Sequence, residues 1–213
     1  MMERGSILWL VLAGVSIIAA PTSAEIVQPQ ITPQYGFGDQ ILSMSPIGQT
    51  FTSEDTKITY IGFAIFDMNP QLPIVPINVE LFEGEGTDGT LLGTMPLQTS
   101  SDPLSLPDFL SSGNPRFLEA DFSFATLNVG QIYTALLTTS NAQAGIYGEY
   151  WKNDIDGSVL QPDLYTGGYG FNYETQSPSY KGEFDLVFRA TSVPEPAALI
   201  LFALGGLILR RRR

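Results

Sequence analysis

The sequence predicts an all-β fold, a single antiparallel β-sandwich between an N-terminal signal peptide and a C-terminal transmembrane helix. Three observations predict the sandwich. Short runs of β-branched and aromatic residues alternate apolar and polar side chains, which turns one face of each run toward a core. Turn-forming pairs such as Asp156-Gly157 and Gly167-Gly168 separate these runs. The central region contains no stretch with the spacing of an amphipathic helix.

Residues 1–24 have the pattern of a secretory signal peptide. Arg4 precedes an apolar stretch over residues 7–20, and small residues then lead to Ala24. Signal peptidases cleave after such small residues, so we expect processing after Ala24. The alternative is a retained signal anchor, which Pro21 disfavours because it breaks a helix just before the cleavage site.

Residues 25–192 form the predicted β domain. In residues 76–82, Ile77, Val79 and Leu81 fall on one face, and polar side chains fall on the other. Glycine-rich residues 83–89 predict a hairpin loop. The other predicted strands are residues 57–66, 116–122, 131–138 and 185–191.

Charge and composition exclude several classes of function. The whole chain has a formal charge of −12, and without the predicted signal peptide and tail five basic and twenty acidic residues leave −15. Such a polyanion repels nucleic acid and phospholipid headgroups, so we expect no nucleic-acid partner. The absence of His and Cys excludes Ser-His-Asp and Cys-His catalysis, zinc sites built from His or Cys, and disulfides.

The tail, residues 193–213, has the pattern of a membrane stop signal. The apolar residues 197–209 form a predicted transmembrane helix of about 20 Å, which is shorter than the roughly 30 Å hydrocarbon core. So short a span suits a segment that is removed after recognition, and the alternative is a permanent single-pass anchor. By the positive-inside rule, four terminal arginines keep the C-terminus in the cytoplasm: Arg210, Arg211, Arg212 and Arg213.

Pro194, Glu195 and Pro196, followed by the apolar run and the arginine cluster, closely resemble the PEP-CTERM sorting signal. The resemblance implies that exosortase, an integral-membrane transpeptidase-like enzyme, recognises these three residues and removes the tail. They are then recognition residues and not catalysts. The resemblance also implies that the C-terminal helix holds the chain transiently in the inner membrane, before deployment at the cell surface or in an extracellular polysaccharide matrix.

A second resemblance concerns the order of the strands. Residues 49–52, 58–66, 77–84, 91–93, 130–137 and 185–189 together are similar to secreted jelly-roll-like modules, whose architecture resembles that of carbohydrate-binding modules. This resemblance implies a jelly-roll-like sandwich and extracellular polysaccharide as a partner.

Aromatic residues are concentrated in the last third of the domain. Flat rings with polar tips are suited to stacking on sugar faces. The candidate sugar-binding residues are Tyr150, Trp151, Tyr169 and Tyr173. The alternative is that these rings pack within the sandwich, since aromatic residues favour strands in any case.

Clustered acidic residues near Gly157 raise the question of a calcium site, because Ca²⁺ prefers oxygen ligands around a turn. Lys152 occupies the first ligand position of an EF-hand register and excludes that motif. Asp154, Asp156 and Asp163 remain candidates for another kind of calcium site, and a solvated turn is the alternative. We expect no other metal and no organic cofactor.

Carboxylate pairs such as Glu80 with Glu83, or Glu183 with Asp185, have the residue types that hydrolyse glycosides. Nothing in their spacing places two carboxyl groups across a cleft, so we expect no catalytic residue. The sequence therefore predicts a non-catalytic exported protein that binds sugar or has a structural role in the matrix. The alternatives are a polysaccharide-active enzyme that uses carboxylates and a plain membrane-anchored surface protein.

Overall fold

A computed structural model describes residues 25–28, 36–68, 76–100, 116–140, 142–150, 159–160, 163, 165–172 and 184–192. Within them the chain is all-β and contains no helix. The strands of the first half are β1 (Glu25–Gln28), β2 (Gly36–Gln40), β3 (Ile47–Thr52), β4 (Tyr60–Asp67), β5 (Asn78–Glu83), β6 (Thr90–Pro96) and β7 (Gln98–Thr99). Those of the second half are β8 (Arg116–Asp121), β9 (Ile132–Thr138), β10 (Ala144–Tyr150), β11 (Gly170–Phe171), β12 (Phe184–Leu186) and β13 (Phe188–Thr191).

These strands form two antiparallel sheets. The larger sheet has the order β1-β13-β4-β10-β12, with β8 also paired to β4, β7 to β8, and β2 to β10. The smaller sheet has the order β11-β3-β9-β5-β6. Consecutive strands such as β3 and β4, or β8, β9 and β10, belong to different sheets, so the chain crosses repeatedly between the two sheets.

One apolar core joins the inner faces of the two sheets. It contains Ile61, Phe63 and Ile65 from β4, together with Val79 and Leu81 from β5. The alternation in the sequence predicts this inward orientation for both strands, and the structure confirms it. At the centre of the core, the Phe51 ring packs against the rings of both Tyr133 and Phe188.

Part of the outer face of the larger sheet is also buried. Ala64, Phe117, Tyr147 and Val187 form a second apolar cluster there, with Phe66 packed against it. This face therefore differs from the solvated outer face that alternation implies for an antiparallel sheet.

Four predicted strands agree with the structure to within a few residues, and the fifth is divided. The segment 185–191 becomes β12 and β13, separated at Val187, whose backbone bonds to both neighbours. Its N–H donates to the Tyr147 carbonyl at 2.9 Å, and its carbonyl accepts from the Ala64 N–H at 3.1 Å. Val187 thus lies where β4 and β10 diverge around the inserted segment.

The predicted hairpin loop after β5 folds against the outer face of the smaller sheet. The Thr134 hydroxyl donates to the Gly84 carbonyl at 2.7 Å and accepts the Gly86 N–H at 2.8 Å. Gly84 and Gly86 have φ angles of 94° and 70°, which favour glycine over residues with a side chain. This anchoring brings Glu85 close to the edge strand β11.

Candidate functional site

Three of the predicted sugar-binding and calcium-binding residues belong to the described part of the chain: Tyr150, Asp163 and Tyr169. They lie where β11 of the smaller sheet meets β12 of the larger sheet. Tyr150, of which only the backbone is described, pairs with Phe184. The Phe184 ring packs directly on Gly170, where a Cβ atom would lie 2.3 Å from the ring. Gly170 follows Tyr169 in the sequence. The fold therefore brings the backbones of Tyr150 and Tyr169, two predicted sugar-binding residues, to the same edge.

Tyr169 is held in place at three points. Its N–H donates to the Thr50 hydroxyl at 2.8 Å, and its carbonyl accepts the Thr50 N–H at 2.8 Å. Its own hydroxyl donates to Glu85 Oε2 at 3.2 Å. The side chain is partly exposed, and Glu85 is exposed. Tyr169 thus presents a fixed aromatic ring beside a carboxylate at the surface.

A buried amide and a buried carboxyl group connect the two sheets at this edge. The side-chain amide of Gln49, on β3, donates to Asp185 Oδ1 at 2.7 Å. The carbonyl oxygen of the same side chain accepts the Leu186 N–H at 2.8 Å. Gln49 therefore makes two hydrogen bonds to β12, and Asp185 is only 2% exposed.

Burial raises the pKa of Asp185 to about 8. The hydrogen bond from Gln49 lowers this pKa. The negative charge of Asp163 and its hydrogen bond with Asp185 raise the pKa further, and so does the negative charge of Glu149. Asp185 therefore keeps its proton at neutral pH. Burial also raises the pKa of the Tyr165 hydroxyl, which accepts the Thr52 N–H at 3.3 Å.

Asp163, one of the predicted calcium ligands, already has protein partners. Its Oδ1 accepts the Tyr165 N–H at 2.8 Å, and its carboxylate lies beside Asp185. Among the described residues, no group of three or more Asp and Glu is arranged to hold a metal ion. Asp154 and Asp156 lie outside the described residues, so the calcium hypothesis remains a prediction.

A second buried polar cluster lies on the outer face of the larger sheet. Arg189 Nε donates to Glu119 Oε1 at 3.1 Å, and Arg189 Nη2 makes a second, shorter contact with the same oxygen. Ser100 Oγ accepts from Arg189 at 3.3 Å and donates to Glu119 Oε2. The guanidinium also lies 4.7 Å from the centre of the Phe117 ring. All three polar residues are buried.

Gly62 makes room for this ion pair. The strand registers place Arg189, Gly62 and Glu119 side by side across β13, β4 and β8. A Cβ atom at Gly62 would lie 2.5 Å from the Phe117 ring and 2.8 Å from Glu119 Cγ. Gly62, which lies between Arg189 and Glu119, must therefore lack a side chain.

Sequence reasoning missed Gln49, Glu119 and Arg189 as site residues. A signal for Gln49 was present, because it falls at an inward position between the apolar Ile47 and Phe51. Glu119 alternates with buried apolar residues of β8, as predicted, but Glu119 is buried too, on the opposite face of the strand. No local pattern identifies Arg189 as its partner.

The remaining predicted residues lie outside the described residues. They are the cleavage residue Ala24, the sugar candidates Trp151 and Tyr173, the sorting residues Pro194, Glu195 and Pro196, and the arginines Arg210, Arg211, Arg212 and Arg213. In the part of the chain that the structure describes, no helix is long and apolar enough to span a bilayer.

Comparison with protein families identifies the tail. Residues 192–213 match the PEP-CTERM protein-sorting motif. This motif is the recognition signal for exosortase, and it indicates a protein that is exported and sorted to the cell surface. No curated protein matches the chain.

Proposed function

We propose that this protein is held transiently in the inner membrane by its tail, processed by exosortase, and deployed at the cell surface or in an extracellular polysaccharide matrix. Its two-sheet domain, which we take to be a jelly-roll-like sandwich, is proposed to bind sugar or to have a structural role there without catalysis. The match of residues 192–213 to the sorting motif is the observation that carries this proposal.

Replacing Glu195 by alanine is expected to block processing of the tail, because the enzyme then loses the charged residue of the Pro-Glu-Pro element. The measurement is mass spectrometry of the protein recovered from cells that express exosortase. The wild-type product should lack Arg210 and the residues after it, and the variant should retain them.

Asp88→Ala is the matched control, because it also removes one carboxylate but lies in the exposed hairpin loop. It should be processed like the wild type. A wild-type product that keeps its four terminal arginines would contradict the proposed processing.

The geometry of Tyr169 supports sugar binding over a purely structural role. Its ring is partly exposed and fixed, and the neighbouring Glu85 carboxylate is able to accept hydrogen bonds from sugar hydroxyls. Tyr169→Ala should weaken retention on the matrix polysaccharide about 2- to 10-fold, as expected for the loss of one stacking contact. Affinity electrophoresis in gels containing that polysaccharide measures the effect.

Tyr60→Ala is the control for Tyr169→Ala, since Tyr60 is a half-exposed tyrosine on β4 of the other sheet. It should leave retention unchanged. Equal retention of wild type and Tyr169→Ala would remove Tyr169 from any binding role and favour the structural alternative.

The buried position of Asp185 supports a non-catalytic role. A carboxyl group with a pKa of about 8 is suited to general-acid chemistry, and this property alone favours the enzyme alternative. A general acid must reach its substrate, however, and Asp185 is 2% exposed and hydrogen-bonded to Gln49. Sustained release of reducing sugar from a matrix polysaccharide would contradict the non-catalytic proposal.

A further inference from the structure

The first and last strands of the domain pair with each other. β1 and β13 are antiparallel neighbours, and their register places Glu25 opposite Thr191. Thr191 also pairs with Tyr60 at the start of β4, and its carbonyl accepts the Thr59 N–H at 2.6 Å. We call the end of the domain that contains Glu25, Thr191 and residues 53–59 the terminal pole.

Both predicted processing sites lie next to this pole. Glu25 is the residue that would follow signal-peptide cleavage after Ala24, and the sorting motif begins at residue 192, directly after β13. Four residues separate the predicted apolar stretch of the signal peptide from Glu25, so the five Cα–Cα steps from residue 20 to Glu25 reach at most about 17 Å. Five residues separate Thr191 from Ala197, and the six Cα–Cα steps between them reach at most about 20 Å.

Two tethers this short constrain the orientation of the domain at a membrane. Strand β4 alone, from the terminal pole to its far end, is about 26 Å long. If the apolar segments left from opposite ends, one connection would have to run the length of the domain to reach the same bilayer. Because they leave from one pole, both insert without crossing it.

We propose that the terminal pole faces the bilayer before processing, and that both ends of the mature chain are cut at this one face. The proposal rests on the proposed export and sorting, and it adds the orientation of the domain and the surface that meets the lipid. The opposite end of β4, followed directly by Met68, then points away from the membrane.

The surface of the terminal pole indicates that the tethers, and not the domain itself, hold it at the membrane. Glu54 and Asp121 are exposed there beside Lys57, so the pole has no basic patch to bind anionic headgroups. A shallow depression lies between residues 53–58 and the end of β13. Once the tail is removed, the acidic domain has no electrostatic attraction to the lipid and is released.

The absence of native cysteine allows a direct test with the full chain in vesicles of phosphatidylethanolamine and phosphatidylglycerol. Single cysteines replace two half-exposed residues, Tyr60 (40% exposed) at the start of β4 and Met68 (50% exposed) directly after its end, and each cysteine carries a fluorophore. A nitroxide-headgroup lipid quenches fluorophores close to the bilayer surface. Quenching should be roughly twofold or more stronger at position 60 than at position 68, about 26 Å away.

A second variant guards against disruption of β4. Glu54→Cys, at an exposed position of the terminal pole, should be quenched like Tyr60→Cys. Equal quenching at positions 54, 60 and 68 in vesicle-bound protein would overturn the proposed orientation but leave the sorting proposal intact. Failure of the full chain to float with vesicles would overturn the proposed membrane stage itself.

Discussion

Replacing Arg189 by alanine is expected to lower the free energy of unfolding by about 3–5 kcal/mol. The substitution removes the guanidinium that neutralises Glu119, and it leaves a buried carboxylate with Ser100 as its remaining described partner. It also removes the cation–π contact with Phe117. Urea unfolding at neutral pH, followed by tryptophan fluorescence, measures the loss.

Arg116→Ala is the matched control for Arg189→Ala. Arg116 Nη2 donates to both carboxylate oxygens of Asp67, at 2.9 and 3.0 Å, but the Arg116 side chain is 40% exposed. The side chain of Asp67 is only 8% exposed, but water is able to reach it from the exposed side once Arg116 is truncated. The expected loss is therefore smaller than for Arg189→Ala, about 1–2 kcal/mol.

A double variant separates the ion pair from the packing around it. Arg189→Met with Glu119→Leu removes both charges and keeps most of the apolar volume, so it should recover most of the stability lost in Arg189→Ala. A loss below about 1 kcal/mol in Arg189→Ala would contradict the view that Glu119 depends on this partner.

The ion pair also explains where prediction from sequence stopped. Alternation identified β4, β5, β8 and β9 because each strand has one face in the core, and this requires only local information. A second apolar cluster lies on part of the outer face of the larger sheet, and the sequence of β8 alone does not predict it. Glu119 therefore looks like a solvent-facing residue in the sequence, although it is buried.

The candidate site was predictable by residue type but not by arrangement. Tyr169 and Asp163 were identified because aromatic and acidic side chains are common in sugar and calcium sites. The contact between Gln49 and Asp185 joins residues far apart in sequence and depends on how β3 and β12 face each other across the two sheets. Alternation describes one strand at a time, so it does not predict which strands will meet.

The sorting tail, in contrast, was predictable from the sequence in its arrangement as well as in its residue types. Its elements are contiguous and abut the C-terminus, so the pattern is complete within residues 192–213. Local information was enough to identify it. The pairing of Glu25 with Thr191, which places both ends of the domain together, was again visible only in the fold.

The protonated carboxyl group of Asp185 is expected to make the free energy of unfolding depend on pH, and this contribution is lost as the pH rises. The pKa of Asp185 is about 8 in the folded state, whereas an unfolded Asp has a pKa of about 3.9. Between these values the unfolded chain has released this proton and the folded chain still holds it. The free energy of unfolding therefore falls with rising pH, by at most about 1.4 kcal/mol per pH unit, and levels off above about pH 8.

Asp185→Asn should remove this dependence. The asparagine side chain has the shape of the protonated acid, and its carbonyl oxygen is able to accept the hydrogen bond from Gln49. Unlike Asp185, it cannot become charged beside Asp163 and Glu149. The variant should match the wild type near pH 4 and exceed its free energy of unfolding by about 2 kcal/mol or more at pH 8.

Because the other acidic residues also titrate, the measurement is the difference between the two proteins in urea unfolding at several pH values. Asp121→Asn is the control, since Asp121 is exposed and hydrogen bonds from Ser123 lower its pKa. Its folded-state pKa is below the unfolded value, so its contribution is lost on acidification and leaves the interval from about pH 4 to 8 unchanged. If Asp185→Asn destabilises the domain equally at every pH, Asp185 is charged in the folded state and its negative charge is what Gln49 stabilises.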